Sequence, residues 1–366
     1  MIVGLRRALA FARGWKSGVP GLREEAVEIH RGDRRIPGAL LLPEGPSAPL
    51  PGWVILHGIT RPGPGHPTLQ RFARAMAGSG AAVLVPEIPE WRQLHLAPEQ
   101  VSATIRASVL HLDRRGEVGR HRTGVIGFSF GAPQAIIAAT HPSLKGHLAA
   151  VVGFGGYCRL EEVVAFLFSG RHEWEGRSYV LEPDPYGRWV VGGNYLDRTP
   201  GYEEAEDVSR ALLELARMAG DIQVGAWEPI FDTRKDELEE AIHPSRRELF
   251  RAFAPAAGQP PDREIWEPLA PVLARTIRAS SPLAEAPPFL HRLDVPVRLI
   301  HGREDRLIPF SETLRLGREF PPDADIQVFL TGLFSHSQRG GTSGPLNKAR
   351  EAYRFLRALS DIMELL

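Results

Sequence analysis

A chain of 366 residues with 43% hydrophobic side chains can bury one large core or two small ones, which excludes wholesale disorder. Lys+Arg and Asp+Glu each number 44, so no basic excess points to a nucleic-acid partner. The single cysteine, Cys158, excludes an intramolecular disulfide and fits a reducing compartment, and no apolar run approaches the ~20 residues of a membrane span.

In chain order, the first segment is residues 1–24. Within it Ile2, Leu5, Leu9 and Phe11 alternate with Arg6, Arg7, Arg13 and Lys16, a short basic amphipathic stretch. A terminal helix packed on the domain is the favoured reading over a helix lying on an anionic bilayer. Charges interrupt the apolar stretch and no small-residue cleavage site follows, so it does not read as a signal peptide. The expected location is cytoplasmic, with no membrane contact.

Short apolar runs follow at Ala39–Leu42, Trp53–Leu56, Ala81–Val85, Thr123–Ile126 and Ala149–Phe154, then at Val297–Ile300 and Ile326–Leu330. Runs of four to six residues without polar alternation predict strands buried on both faces of a mostly parallel sheet. Helical stretches separate them, at Thr68–Ala77, Pro98–Arg114, Ala132–Thr140 and Glu312–Glu319, with a C-terminal helix over Leu346–Leu365. The alternation predicts an α/β fold with a doubly wound sheet. It lapses over residues 157–288, which hold Trp174, Trp189, Trp227 and Trp266 and helical stretches at Glu203–Met218, Lys235–Ile242 and Arg246–Phe253. This is too long for a loop. It predicts a largely helical lid insertion between the sixth and seventh core strands, dividing the core into residues 25–156 and 289–366. Its tryptophans suit the wall of an apolar pocket, although holding the insertion together is the commoner role.

The most informative motif is Gly127-Phe128-Ser129-Phe130-Gly131, a G-x-S-x-G between a predicted strand and a predicted helix. A turn sharp enough to lift a serine above the sheet leaves no room for Cβ atoms at Gly127 and Gly131. Two further features follow in order. Asp305 lies in Gly302-Arg303-Glu304-Asp305-Arg306-Leu307-Ile308-Pro309, after the strand Val297–Ile300, and His336 lies after the strand Ile326–Leu330. All three fall at carboxyl ends of strands, where open α/β sheets gather their sites. The residue types suit acyl transfer. A serine hydroxyl needs a base to take its proton as it attacks. A neutral imidazole does this near neutral pH, and a buried carboxylate holds its tautomer and stabilises the imidazolium.

With Leu56-His57-Gly58, these motifs make the sequence resemble the α/β-hydrolase superfamily, especially its dienelactone-hydrolase-like and esterase–peptidase branches. The resemblance covers roughly residues 25–157 and 290–366 and leaves the insertion unmatched. It implies an α/β-hydrolase fold and a serine hydrolase with Ser129 as nucleophile, Asp305 as triad acid and His336 as base. Glu304, Glu161 and Glu162 are the competing acids, and His301 and His57 the competing histidines, the last two placed where they brace loops. The oxyanion hole needs two backbone N–H groups. Phe130 supplies one and, by the H-G-x pattern, Ile59 the other, with Thr60 the alternative. Arg61 reads as a surface arginine before it reads as a carboxylate binder.

No metal site or cofactor is expected: His-Glu-x-x-His and a phosphate loop are absent, and Gly153-Phe154-Gly155-Gly156 lacks dinucleotide spacing. The expected partner is a small-molecule ester with an apolar acyl or alcohol part. A peptidase, amidase or acyltransferase would use the same three residues, and a non-catalytic binding protein is the alternative of another class. The substrate and the oligomeric state are not written in these motifs.

Overall fold

The apolar runs become strands: those from Trp53 to Phe154 and at Val297–Ile300 bury both faces, whereas Ile326–Leu330, expected to be buried on both faces, is an edge strand that stays half-exposed. The computed structural model describes residues 2–45, 49–332 and 345–366. The chain opens with α1 (Ile2–Ser17), β1 (Leu22–Arg31), β2 (Arg34–Pro43) and β3 (Leu50–Ile55). It continues with α2 (Pro67–Gly78), β4 (Ala82–Pro86), α3 (Pro89–Arg92), α4 (Pro98–Asp113), β5 (Val118–Phe128), α5 (Gly131–Ala139) and β6 (Leu148–Phe154). Then come α6 (Leu160–Ser169), the hairpin β7 (Arg171–Trp174) and β8 (Arg177–Val180), α7 (Pro185–Tyr195), α8 (Glu206–Ile222), α9 (Asp232–Ala241), α10 (Arg247–Phe253) and α11 (Arg263–Ser280). The chain ends with β9 (Val297–Gly302), α12 (Phe310–Glu319), β10 (Ile326–Thr331) and α13 (Pro345–Glu364).

Eight strands form one sheet in the order β1-β2-β4-β3-β5-β6-β9-β10. Only β2 runs against the others, pairing antiparallel with β1 and β4, while every pair from β4 to β10 is parallel. Side chains alternate between two cores. Val54, Val125, Val151 and Leu299 enter the core shared with α4, α5, α12 and the segment between β6 and β9. Trp53, Ile55, Ile126, Val152 and Ile300 enter the core shared with α1, α2 and α13. The predicted doubly wound sheet is therefore present, with β1 as an edge strand that apolar runs did not reveal.

The order of connection reverses at β3: the chain steps out to β4, then crosses back to β5 on the other side. Such a switch point opens a crevice at the carboxyl ends of its two strands.

The segment between β6 and β9 is mostly helical, and the β7–β8 hairpin is its exception. It is tied to the core by polar anchors. The Gln134 side-chain amide donates to the Leu283 carbonyl at 2.7 Å, and the Tyr157 hydroxyl donates to the Ala284 carbonyl. Glu285 accepts the Leu160 N–H at 2.6 Å, and buried Glu312 accepts the N–H groups of Cys158 and Arg159 at 3.1 and 2.7 Å. Trp189 is buried against Phe231 and Trp266 stacks on Phe168, so these two tryptophans hold the segment together. Among the described residues no helix is long and apolar enough to cross a membrane.

Candidate active site

Ser129 sits between β5 and α5 with φ at +55°, in the left-handed region that side chains seldom occupy. Local contacts force that conformation. The Ser129 N–H donates to the Phe154 carbonyl at 2.7 Å, and its carbonyl accepts the Ala132 N–H at 3.0 Å. The chain folds back so tightly that a Cβ at Gly127 would lie 2.1 Å from the Gly131 carbonyl oxygen. One at Gly131 would press on Trp91 at 3.3 Å. Ser129 itself is half-buried, neither sealed in the core nor fully exposed.

Phe130 begins the helical turn of α5 immediately after Ser129. Its N–H belongs to the first turn, where helices leave donors unpaired and positive in potential. Ile59 lies on the loop after β3, across the switch point from Ser129. Among the described residues, neither N–H donates to a protein acceptor. The Thr60 hydroxyl is buried with no partner among the described residues.

The two histidines that compete with His336 are both committed. His57 is buried, its Nε2 accepts the Ile88 N–H at 3.0 Å and its Nδ1 donates to the Gly58 carbonyl at 2.7 Å. Burial lowers its pKa from 6.5 to about 4, against the raising effect of the Gly58 carbonyl, so the ring is neutral at neutral pH. His301 is equally buried, its Nε2 donating to the Ile308 carbonyl at 2.9 Å and its Nδ1 lying 2.6 Å from the Thr313 hydroxyl. Both rings brace loops, and neither has a nitrogen left to take a proton from serine.

Asp305 is buried on the loop after β9. One carboxylate oxygen accepts the N–H groups of Leu307 and Ile308 at 2.9 and 3.0 Å, and the other lies 3.5 Å from His301 Nε2. The competing acids have other surroundings. Glu304 and Glu162 are exposed, and Glu161 pairs with Arg278. His336 lies outside the described residues; β10 ends at Thr331 on the same edge of the sheet as β3, β5 and β9. Arg61 lies partly exposed at the surface, in line with the first of its two sequence readings. It pairs with Asp221 of α8 at 2.8 Å, and the Arg61 and Arg92 side chains each donate to the other's carbonyl at 3.2 Å, which ties the loop after β3 to α8.

Among the described residues, no group of three or more His, Cys, Asp or Glu side chains is arranged to hold a metal ion. Cys158 is buried, and desolvation pushes its thiol up to about 12, so it is not a nucleophile at neutral pH. One contact to this loop had no signal in the sequence: from α7 the Tyr186 hydroxyl donates to the Ile59 carbonyl at 2.9 Å.

No protein-family model matches the sequence, and no curated protein matches it. Solved structures do. An acylaminoacyl peptidase from Pyrococcus horikoshii is 12% identical with a TM-score of 0.50, the match covering 96% of this chain and 42% of the peptidase. Est1E from Butyrivibrio proteoclasticus is also 12% identical, with a TM-score of 0.49 over 93% of this chain and 97% of that one. A dienelactone hydrolase-like promiscuous phosphotriesterase from metagenomic libraries is 15% identical, with a TM-score of 0.45 over 93% and 98%. Identities this low speak for architecture alone, and the likeness to the peptidase joins the strand order and the serine turn in giving this chain the α/β-hydrolase fold.

Proposed function

We propose that this chain is a serine hydrolase that cleaves a carboxylic ester through an acyl-enzyme. The observation that carries the reading is Ser129 at φ +55° on a strand–helix turn that excludes side chains at Gly127. Strain of this kind costs roughly 1–3 kcal/mol and persists where function needs it.

In this mechanism Ser129 Oγ attacks the ester carbonyl while His336 takes the hydroxyl proton. The carbonyl electrons move to oxygen, where the N–H groups of Phe130 and Ile59 receive them. The C–O bond to the alcohol then breaks, and His336 returns its proton to the leaving oxygen. Water repeats the sequence on the acyl-enzyme and frees the acid. Asp305 orients His336 and stabilises its charged form. The commitment of His57 and His301 to their loops supports His336 as base.

The test is intact-protein mass spectrometry after incubation with a fluorophosphonate. One adduct is expected on the wild type and none on Ser129→Ala, with labelling of His336→Ala slower by about two orders of magnitude or more. No adduct on folded wild-type protein would refute the mechanism. A panel of activated esters run against aminoacyl amides, with and without a competing alcohol, separates ester hydrolysis from amide hydrolysis and acyl transfer.

A further inference from the structure

We propose that Tyr186, contributed by the segment between β6 and β9, is a positioning residue for the oxyanion hole, so that this segment completes the catalytic site. The inference rests on the serine-hydrolase reading above. It arises from two hydrogen bonds that meet on either side of Ile59. His57 Nδ1 holds the Gly58 carbonyl at 2.7 Å, and the Tyr186 hydroxyl holds the Ile59 carbonyl at 2.9 Å. A peptide unit is planar and trans, so its N–H points opposite to its carbonyl. Fixing the Gly58 carbonyl therefore aims the Ile59 N–H, and fixing the Ile59 carbonyl stops the next peptide from turning. The loop carries two prolines and three glycines between residues 58 and 65, and glycines give a backbone alternatives that such bonds must exclude.

The start of α7 is itself well anchored, which makes Tyr186 a fixed post. Asp184 caps the helix by accepting the Tyr186 N–H at 3.0 Å. Its own N–H donates to the Arg306 carbonyl at 2.8 Å, on the loop beside Asp305. Arg306 reaches back to the Glu182 carbonyl at 2.6 Å and to the Glu182 carboxylate at 2.6 Å. A Cβ on Gly187 would stand 3.2 Å from Leu307. Residues 182–187 thus sit between the acid loop and the oxyanion loop and touch both. Burial raises the Tyr186 pKa well above its ordinary value, so its hydroxyl stays a donor across the working pH range.

The experiment measures p-nitrophenyl acetate hydrolysis by the full chain as wild type, Tyr186→Phe and Tyr195→Phe. Rates are referred to sites titrated to completion with fluorophosphonate, so an unfolded fraction does not count. Tyr195 lies on the same helix, is buried and bonds the Ser281 hydroxyl at 3.0 Å, away from the oxyanion loop. Tyr186→Phe is expected to lower kcat by about 10- to 100-fold with KM within about two-fold, and to weaken a boronic acid inhibitor by a similar factor. Tyr195→Phe is expected to lower the melting temperature and leave kcat unchanged. Equal kcat for wild type and Tyr186→Phe, with Ser129 fully labelled in both, would overturn the positioning role while leaving the hydrolase reading intact. Failure of wild-type Ser129 to label would overturn the hydrolase reading, and the positioning role with it.

Discussion

His57 works only as a neutral ring. Its Nε2 must keep a lone pair for the Ile88 N–H, while its Nδ1–H holds the Gly58 carbonyl. Burial depresses the folded pKa from 6.5 to about 4, so below pH 6.5 the unfolded chain binds a proton that the folded chain refuses. The contribution of His57 to stability is therefore complete above pH 6.5 and is lost as pH falls toward 4, by about 3 kcal/mol in all. Urea unfolding near pH 7 and near pH 4.5 measures this. His57→Gln should be less stable than wild type at neutral pH but lose less on acidification, and identical losses in the two proteins would reject the assignment. Residues of this kind were legible because they stand in local patterns: Ser129 between its glycines, Asp305 in its loop, His57 beside Gly58. Tyr186 was not, because a hydroxyl meeting a carbonyl 127 residues away leaves no mark on the sequence nearby.

At the scale of elements, the central strands were legible because each carries apolar residues to both faces of the sheet. β1 was hidden because it is an edge strand, and its exposed Arg23, Glu24, Glu28 and His30 break the apolar pattern or blunt the edge. The β7–β8 hairpin had one usable signal, Glu175-Gly176, whose φ values of +50° and +73° are those of a two-residue turn with both residues left-handed. α7 was masked by Gly192 and Gly193, which lower helix propensity. They are there because a Cβ on either would meet Leu212, Phe253 or Leu213 within 2.7 Å, the cost of packing α7 close to α8. The acid loop gives the prediction at this scale. An asparagine at 305 can still accept the Leu307 and Ile308 N–H groups, so Asp305→Asn should keep the loop and lose only the negative charge. Ester turnover should fall by about 10²–10⁴ in kcat, whereas Glu304→Gln, on the exposed neighbour, should stay within about two-fold. Equal effects from the two substitutions, measured on proteins with matching unfolding curves, would remove Asp305 from the triad.

The eight-stranded sheet carries a core on each face, and α1 and α13 cover the face away from the segment between β6 and β9. α1 lies against α13 and α2, as a packed terminal helix should. Arg7 donates to the carbonyls of Met363 and Leu366 at 3.2 and 3.0 Å, a cation at the carboxyl end of α13 where the helix dipole favours it. Phe11 is 2% exposed and meets Phe72 edge-on at 5.2 Å, and Phe72 in turn meets Phe128, the residue before Ser129, at 5.1 Å. This row of rings links the N-terminus to the strand that carries Ser129, but the geometry of Ser129 has other causes. Its backbone is set by the bond to Phe154 and by the close approach of Gly127 to Gly131, neither of which involves an aromatic ring. Phe11→Ala should therefore separate stability from reactivity. Emptying a buried aromatic site should cost about 3–5 kcal/mol, read as a lower urea midpoint. The rate of Ser129 phosphonylation per folded molecule should change by less than about two-fold, because the contacts that raise the serine above the sheet remain. A parallel fall in both quantities would mean that packing beneath the sheet helps to hold the strained turn, and that α1 belongs to the catalytic architecture.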